Sequence, residues 1–193
     1  GEAHFIRALA YFDIVRVWGG APIVLTPTLA VANKVGIARS SADEVYAQVL
    51  SDLTKAETLL PNTLNRFRAT KKTAWALLSR YYLYRKDWGQ AESFATRLIG
   101  DASYRLAKPY NSFFGSNVTG TVESVFEIQY SPKFLNDNRN DWQPASNGGG
   151  RRIVPTNAFI ELVNNPLIGG NRNAILGRTS TGLWYGNLYY RSP

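Results

Sequence analysis

The chain has 193 residues, a formal charge of +8, 45% hydrophobic residues and neither Cys nor Met. That length suits one domain, or one and a part. Without Cys, disulfides, zinc–thiolate sites and thiol catalysis are excluded within it, and no apolar run approaches the ~18 residues of a membrane span. The charge admits nucleic acid, anionic lipid or an acidic partner, yet the 22 Lys and Arg are interleaved with 14 acids. The densest basic cluster, Arg66, Arg68, Lys71 and Lys72, stands at a helix start and reads as a solvated face.

Residues 1–18 carry a helical pattern with Phe5, Ile6, Leu9, Phe12, Ile14 and Val15 around most of the circumference, and Glu2, Asp13 and Arg16 on a narrow polar strip. Such a helix is expected to be buried on most sides. It starts at Glu2 with neither Met nor a cap, which reads as a cut inside a longer element. Gly19-Gly20 ends it, and Ala21 to Val24 leaves as extended chain. After a loop over 26–39, Ser41-x-x-Glu44 forms a capping box for a helix with Val45, Val49, Leu53, Ala56 and Leu60 as its stripe. Pro61 stops that helix.

Over 72–105 the spacing fits one helix–turn–helix repeat. Trp75, Leu78, Ser79 and Tyr82 follow the first-helix pattern of a tetratricopeptide repeat, W-x2-L-G-x2-Y, with Ser for Gly, in a unit near the usual ~34 residues. Thr70 is expected to cap its first helix, Asp87-Trp88-Gly89 to make the turn and Gly100 to end the second helix. The small Ala91 and Ala95, with Leu98 beyond them, let the axes approach, and Trp75 and Tyr82 fill the groove.

Composition shifts towards Asn, Gly, Ser and Thr after Tyr104. Thr121 to Tyr130 alternates and predicts a strand. Ser131 to Gly150 predicts a polar loop. Pro155 to Val163 predicts a short helix with Ala158, Phe159 and Leu162 inward. Ala174 to Leu176 and Leu183 to Tyr190 predict strands around a Thr179–Gly182 turn. The expected fold is mainly α: tetratricopeptide-like helical hairpins over 1–108, carrying a small, loop-rich mixed region over 109–193 of the same domain.

Gly1-Glu2-Ala3, Arg7-Ala8, Tyr11 to Arg16 and Trp18-Gly19-Gly20-Ala21-Pro22 closely resemble the SusD/RagB family, whose members carry a GEArFlRA..YF..LvrlwGgvPl stretch. The resemblance extends over about 1–130. It implies an outer-membrane, surface-exposed lipoprotein that binds glycan or another nutrient and acts with a SusC-like TonB-dependent transporter. The lipid-bearing Cys would lie upstream of Gly1, so contact with the membrane would run through an anchor outside this chain. Family members often carry Asp-x-Arg after a short helix; Gly170-Asn171-Arg172 stands near that place and lacks the acid.

Sugar binding needs a flat aromatic face for the pyranose and planar polar groups for its hydroxyls. Trp142, amid Arg139, Asn140 and Asp141, and the pair Trp184 and Tyr185 after a Gly-containing turn meet that description. The competing reading makes each Trp a plug beneath its loop. The Gly148-Gly149-Gly150-Arg151-Arg152 run reads as a flexible loop, because it lacks the Gly-Lys-Ser/Thr ending of a phosphate loop. Gly115 and Gly120 have the separation of such a loop, but Thr121 replaces its Lys. Asn117-Val118-Thr119 fits a glycosylation acceptor, which a bacterial setting makes incidental. His4 is the sole histidine and is expected to be packed or partly exposed. No cofactor or metal is indicated. The expected function is non-catalytic capture of an oligosaccharide or similar nutrient. Its rivals are a helical-repeat scaffold for a protein or peptide, a glycosidase needing two carboxylates about 5–10 Å apart, and a nucleic-acid binder needing basic residues on one face.

Overall fold

A computed structural model describes residues 1–30, 36–110, 112, 118–131, 133 and 138–187, with the backbone only at Arg139. The expected features at Gly115, Asn117, Asn136, Asp137 and 188–190 lie outside these, as does the Arg139 side chain. The fold is mainly helical and divides into two compact units, Gly1–Tyr104 and Arg105–Pro193.

In the first unit, α1 (Glu2–Trp18) packs on α2 (Ala42–Leu59), α2 on α3 (Lys71–Tyr84), and α3 on α4 (Trp88–Ile99). Phe5, Ala8, Phe12 and Val15 recur at helical spacing and are buried, as are Val45, Val49, Leu53 and Ala56 of α2. Burial of each large side chain contributes roughly 1.5–3 kcal/mol. Phe12 joins three helices through ring contacts with Tyr46, Tyr81 and Tyr84, at centroid distances of 6.5, 6.4 and 5.4 Å. Both expected caps form: Ser41 with Glu44, and Thr70 with Thr73. No helix among the described residues is long and apolar enough to cross a membrane.

Several expectations are corrected here. Helix α1 buries one stripe rather than most of its surface: Ile6, Val17 and Trp18 are 57, 64 and 65% exposed. Among the described helices of this unit, α2 packs most closely on it, and α3 meets it through Tyr81 and Tyr84. The turn between α3 and α4 runs through Arg85 and Lys86, and Lys86 has φ 61°. Asp87 is the cap of α4, accepting from the Gln90 amide, so Trp88 and Gly89 are already helical. Within this hairpin Ala91 is buried, but Phe94 rather than Ala95 supplies the second knob, stacking on Tyr82 at 5.8 Å. Trp75 instead donates its Nε1–H to Glu57 of α2 at 2.7 Å, while Arg97 lies over its ring. The basic cluster is paired rather than merely solvated: Arg68 bonds Glu2, Lys72 pairs with Asp101 at 2.5 Å, and Arg66 donates to the Ser103 carbonyl.

The signature stretch at the N-terminus has a structural account. Asp52 sits in the buried stripe of α2 at 0% exposure, where an unpaired charge would be costly. Arg7 grips it with two nitrogens at 2.8 and 2.7 Å, Gln48 donates at 2.9 Å, and His4 Nδ1 lies 2.5 Å away. Burial pushes the Asp52 pKa up, but the hydrogen bonds from Arg7, Gln48 and His4 outweigh it and hold it at about 2. The Tyr11 hydroxyl accepts from the Val24 amide at 2.6 Å and so ties the extended segment to α1. At the end of α1, Gly19 takes φ 75°, and a Cβ on Gly20 would stand 2.1 Å from the Ser40 carbonyl oxygen. Arg39 then donates to the freed carbonyls of Trp18 and Gly20.

The second unit contains α5 (Asn138–Trp142), a 3-10 turn at Ala145–Asn147, α6 (Asn157–Asn164), a 3-10 segment at Gly170–Ile175, and strands β1 (Leu176–Arg178) and β2 (Trp184–Gly186). The strand expected over 121–130 is absent. Glu127 folds back to accept from the Gly120 and Thr121 amides, and Ser124 closes a turn on the Thr121 carbonyl. Alternation alone cannot make a strand when its backbone groups are bonded locally. The loop expected over 131–150 holds α5, and its glycines form an ordered turn: Gly149 donates to Pro144 O at 3.0 Å and Gly150 to Asn140 O at 2.7 Å. Thr156 caps α6, whose inner face is Ile160 and Val163. Phe159 and Leu162 are 40 and 49% exposed and Ala158 is also exposed, so the helix is rotated from the expected face. The hairpin forms around the expected turn, but its first strand begins at Leu176, because Ala174 and Ile175 belong to the 3-10 segment.

Candidate functional site

The aromatic residues singled out in the sequence converge on the β1–β2 hairpin. The register is antiparallel, with Leu176 opposite Gly186, Gly177 opposite Tyr185 and Arg178 opposite Trp184. Asn187 donates to Ile175 O at 2.6 Å and Thr179 to Leu183 O at 2.9 Å. Odd-numbered residues therefore carry the ladder bonds, and the backbone groups of Trp184 and Gly186 point away from β1.

That open edge is where the segment 140–153 docks. Gln143, 1% exposed, donates its Nε2–H to Gly186 O at 3.3 Å, and its Oε1 accepts from Asn147. Arg151, held at φ 47°, donates Nε–H to Trp184 O at 2.9 Å. The docking segment is itself a tight reverse ladder: Gly150, Arg151 and Ile153 donate to the carbonyls of Asn140, Gln143 and Asp141. Side chains thus satisfy an edge that a third strand would otherwise cover.

Side chains alternate along a strand, so Trp184 and Gly186 share one face of the hairpin and Tyr185 takes the other. Trp142 comes to the first face. A Cβ on Gly186 would lie 2.6 Å from Trp142 Cε3, so the indole occupies the room that the glycine leaves. On the opposite face the Tyr185 ring folds over Gly177, whose added Cβ would stand 2.3 Å from Tyr185 Cζ. The structure therefore sets Trp142 against Gly186, on the hairpin face that Trp184 shares, and turns Tyr185 to the other face. All three are half-buried.

The polar residues around Trp142 behave unequally. Asn140 has its side chain in solvent. Asp141 pairs with the exposed Arg152 at 3.5 Å. Arg178, opposite Trp184, places its guanidinium 5.4 Å from that ring's centroid while donating to Gly182 O. One face of Trp184 is thus taken by a cation and part of Trp142 by the hairpin backbone. A ligand stacking here would meet what remains of two indoles, edged by guanidinium groups. Gln143 and Arg178 were not singled out from the sequence, and Arg151 was read only as part of the Gly148–Arg152 loop. A turn over Thr179–Gly182 would by itself set Arg178 opposite Leu183; the observed pairing of Thr179 with Leu183 shifts it to Trp184, and Gln143 and Arg151 carry no local signal for this role. No group of three His, Asp or Glu able to hold a metal occurs among the described residues.

Comparison with known proteins gives this architecture relatives. Residues 1–83 match the SusD-like family described as starch-binding and associating with the outer membrane. A SusD-like protein of Formosa agariphila is 29% identical over 147 residues, covering 76% of this chain and 29% of its own. A SusD superfamily protein of Bacteroides vulgatus, known from a crystal structure, aligns over 100% of this chain and 48% of its own, with TM-score 0.79 and 25% identity. A laminarin-binding SusD-like protein has the same fold, at TM-score 0.79 and 18% identity over 99% of this chain and 51% of its own. This chain spans between a quarter and a third of the length of the curated relatives it matches, 29% and 26% for two of them. By the match over residues 1–83 and by its fold, the chain is similar to SusD-like proteins.

Proposed function

We propose that this SusD-like chain is part of a non-catalytic glycan-binding protein at the outer surface of the outer membrane, which captures an oligosaccharide and passes it to a TonB-dependent transporter. The observation that carries the reading is the match of residues 1–83 to a family of starch-binding, outer-membrane-associated proteins. The division of labour within the chain supports it. The signature stretch is consumed by helix packing and by the Arg7–Asp52 contact, so it is scaffold rather than site. In the second unit the half-exposed Trp142 and Trp184 share one hairpin face, with Asn140, Asp141 and Arg139 in the adjoining segment. Tyr185, on the opposite face, leaves that set.

The test is calorimetric titration of the chain with a panel of neutral glucans, laminarin and starch oligosaccharides among them, comparing wild type with Trp184→Ala. Loss of a stacking indole is expected to weaken binding about 2- to 10-fold, as aromatic contacts are worth about 0.5–1.5 kcal/mol beyond their burial. A bound glucan whose affinity is unchanged in Trp184→Ala refutes the site. Trp142→Ala is the weaker probe, because it also removes packing on Gly186.

A further inference from the structure

A second feature of the Arg105–Pro193 unit belongs to neither the hairpin nor its docking segment. A cleft of about 520 Å³ is lined by Arg105, Leu106, Ala107, Lys108, Ser112, Thr121 and Val122. The segment at 105–107 is held against 122–123 by Arg105 N–H donating to Val122 O and Ala107 N–H donating to Glu123 Oε2, both at 3.0 Å.

Two cations line this cleft, and two acids lie beside it. Arg105 and Lys108 enter none of the ion pairs formed among the described residues. The two acids of the neighbouring stretch are held by backbone amides beside the cleft, Glu123 by that of Ala107 and Glu127 by those of Gly120 and Thr121. The lining therefore offers two cations, the hydroxyls of Ser112 and Thr121, and an apolar patch of Leu106, Ala107 and Val122. Among the described residues, the lining side chains include no acid and no aromatic ring.

We propose that this cleft binds an acidic sugar residue through its carboxylate, which Arg105 and Lys108 receive. Arg presents a planar fork that matches a carboxylate with two parallel bonds, and Lys adds a mobile point charge. The hydroxyls of Ser112 and Thr121 suit the ring hydroxyls of a uronate, and the apolar patch suits its C–H surface. The volume lies in the range of small-ligand pockets, about 300–1,000 Å³. The saccharide part rests on the glycan-binding reading; the preference for an anion rests on the cleft alone.

The experiment is a titration of the chain with glucuronate, glucose and inorganic sulfate, repeated on the Arg105→Gln/Lys108→Gln double variant and on Trp184→Ala. The melting temperature of each variant is checked first. Glucuronate is expected to bind saturably and glucose not to bind over the same range. The double variant should lose at least about tenfold in affinity, because hydrogen bonds to charged groups are worth about 1.5–3 kcal/mol. Trp184→Ala should leave glucuronate binding unchanged. Equal affinity for glucose, unchanged affinity in the double variant, or no saturation by glucuronate overturns the proposal. So does loss of glucuronate binding in Trp184→Ala, which would move the acid to the hairpin face. Sulfate binding as tightly as glucuronate would make this an anion site without saccharide recognition, and that also overturns it. Neutral glucans that fail to bind, beside glucuronate that does, would refute the hairpin site and leave this one standing.

Discussion

Asp52→Asn removes one negative charge from the interior of the helical unit while keeping the shape of the side chain. Asp52 is fully buried, and three side chains converge on its two oxygens. Its pKa falls from the ordinary 3.8 to about 2 in the folded chain. At about 1.36 kcal/mol per unit, that difference is worth about 2 kcal/mol of folding stability. Because the folded value is depressed, the contribution is present in full above about pH 4 and fades as pH falls towards 2. The amide cannot neutralise Arg7, so the loss at pH 7 is expected to be about 2–3 kcal/mol, at the lower end for breaking a buried pair because Arg7 keeps some contact with water. The assay is urea denaturation followed by far-ultraviolet circular dichroism, on wild type and variant, at pH 7 and pH 2.5. The expected pattern is a clear gap at pH 7 that narrows by more than half at pH 2.5. Asp13→Asn serves as control: its pair with Arg16 is exposed on the Asp13 side and should contribute under about 1 kcal/mol. A gap below about 0.5 kcal/mol at pH 7, or one that does not change with pH, would refute this account of the signature arginine.

Gly20→Ala forces a methyl to within 2.1 Å of the Ser40 carbonyl and is expected to cost about 1–3 kcal/mol, lowering the melting temperature by several degrees. Trp75→Phe keeps the ring but loses the bond to Glu57; a loss of about 1 kcal/mol in chemical denaturation is expected. Gly186→Ala drives the Trp142 ring from its seat, which should shift tryptophan emission to longer wavelength and weaken any glucan held at the hairpin face. The same emission spectrum with unchanged binding would show that Trp142 does not rest on β2.

Much of the helical unit is local and therefore readable from sequence. The α2 stripe, both capping boxes and the Gly19-Gly20 stop each depend on residues within a few positions of one another. The α1 exposure, the partner of Trp75 and the identity of the second knob in the α3–α4 hairpin depend on which neighbours each helix meets. Trp75 faced two possible partners, α4 and α2, and the indole N–H went to Glu57 of α2. The alternating stretch at 121–130 lacked a partner strand, and Glu127 closed it on itself.

In the second unit, the register that sets Arg178 opposite Trp184 is fixed by the Thr179–Leu183 pairing, whereas sequence alone determined that a turn at Thr179–Gly182 would join two strands. Sequence also determined that Trp142 sits in a polar stretch. Only the tertiary structure decided that Gly186 leaves space for Trp142, that Gln143 and Arg151 close the edge of β2, and that Tyr185 faces away. The physical reason is the same in each case: a residue's type and near neighbours set its local conformation, while the room, partners and charge it finds come from chain tens of residues distant.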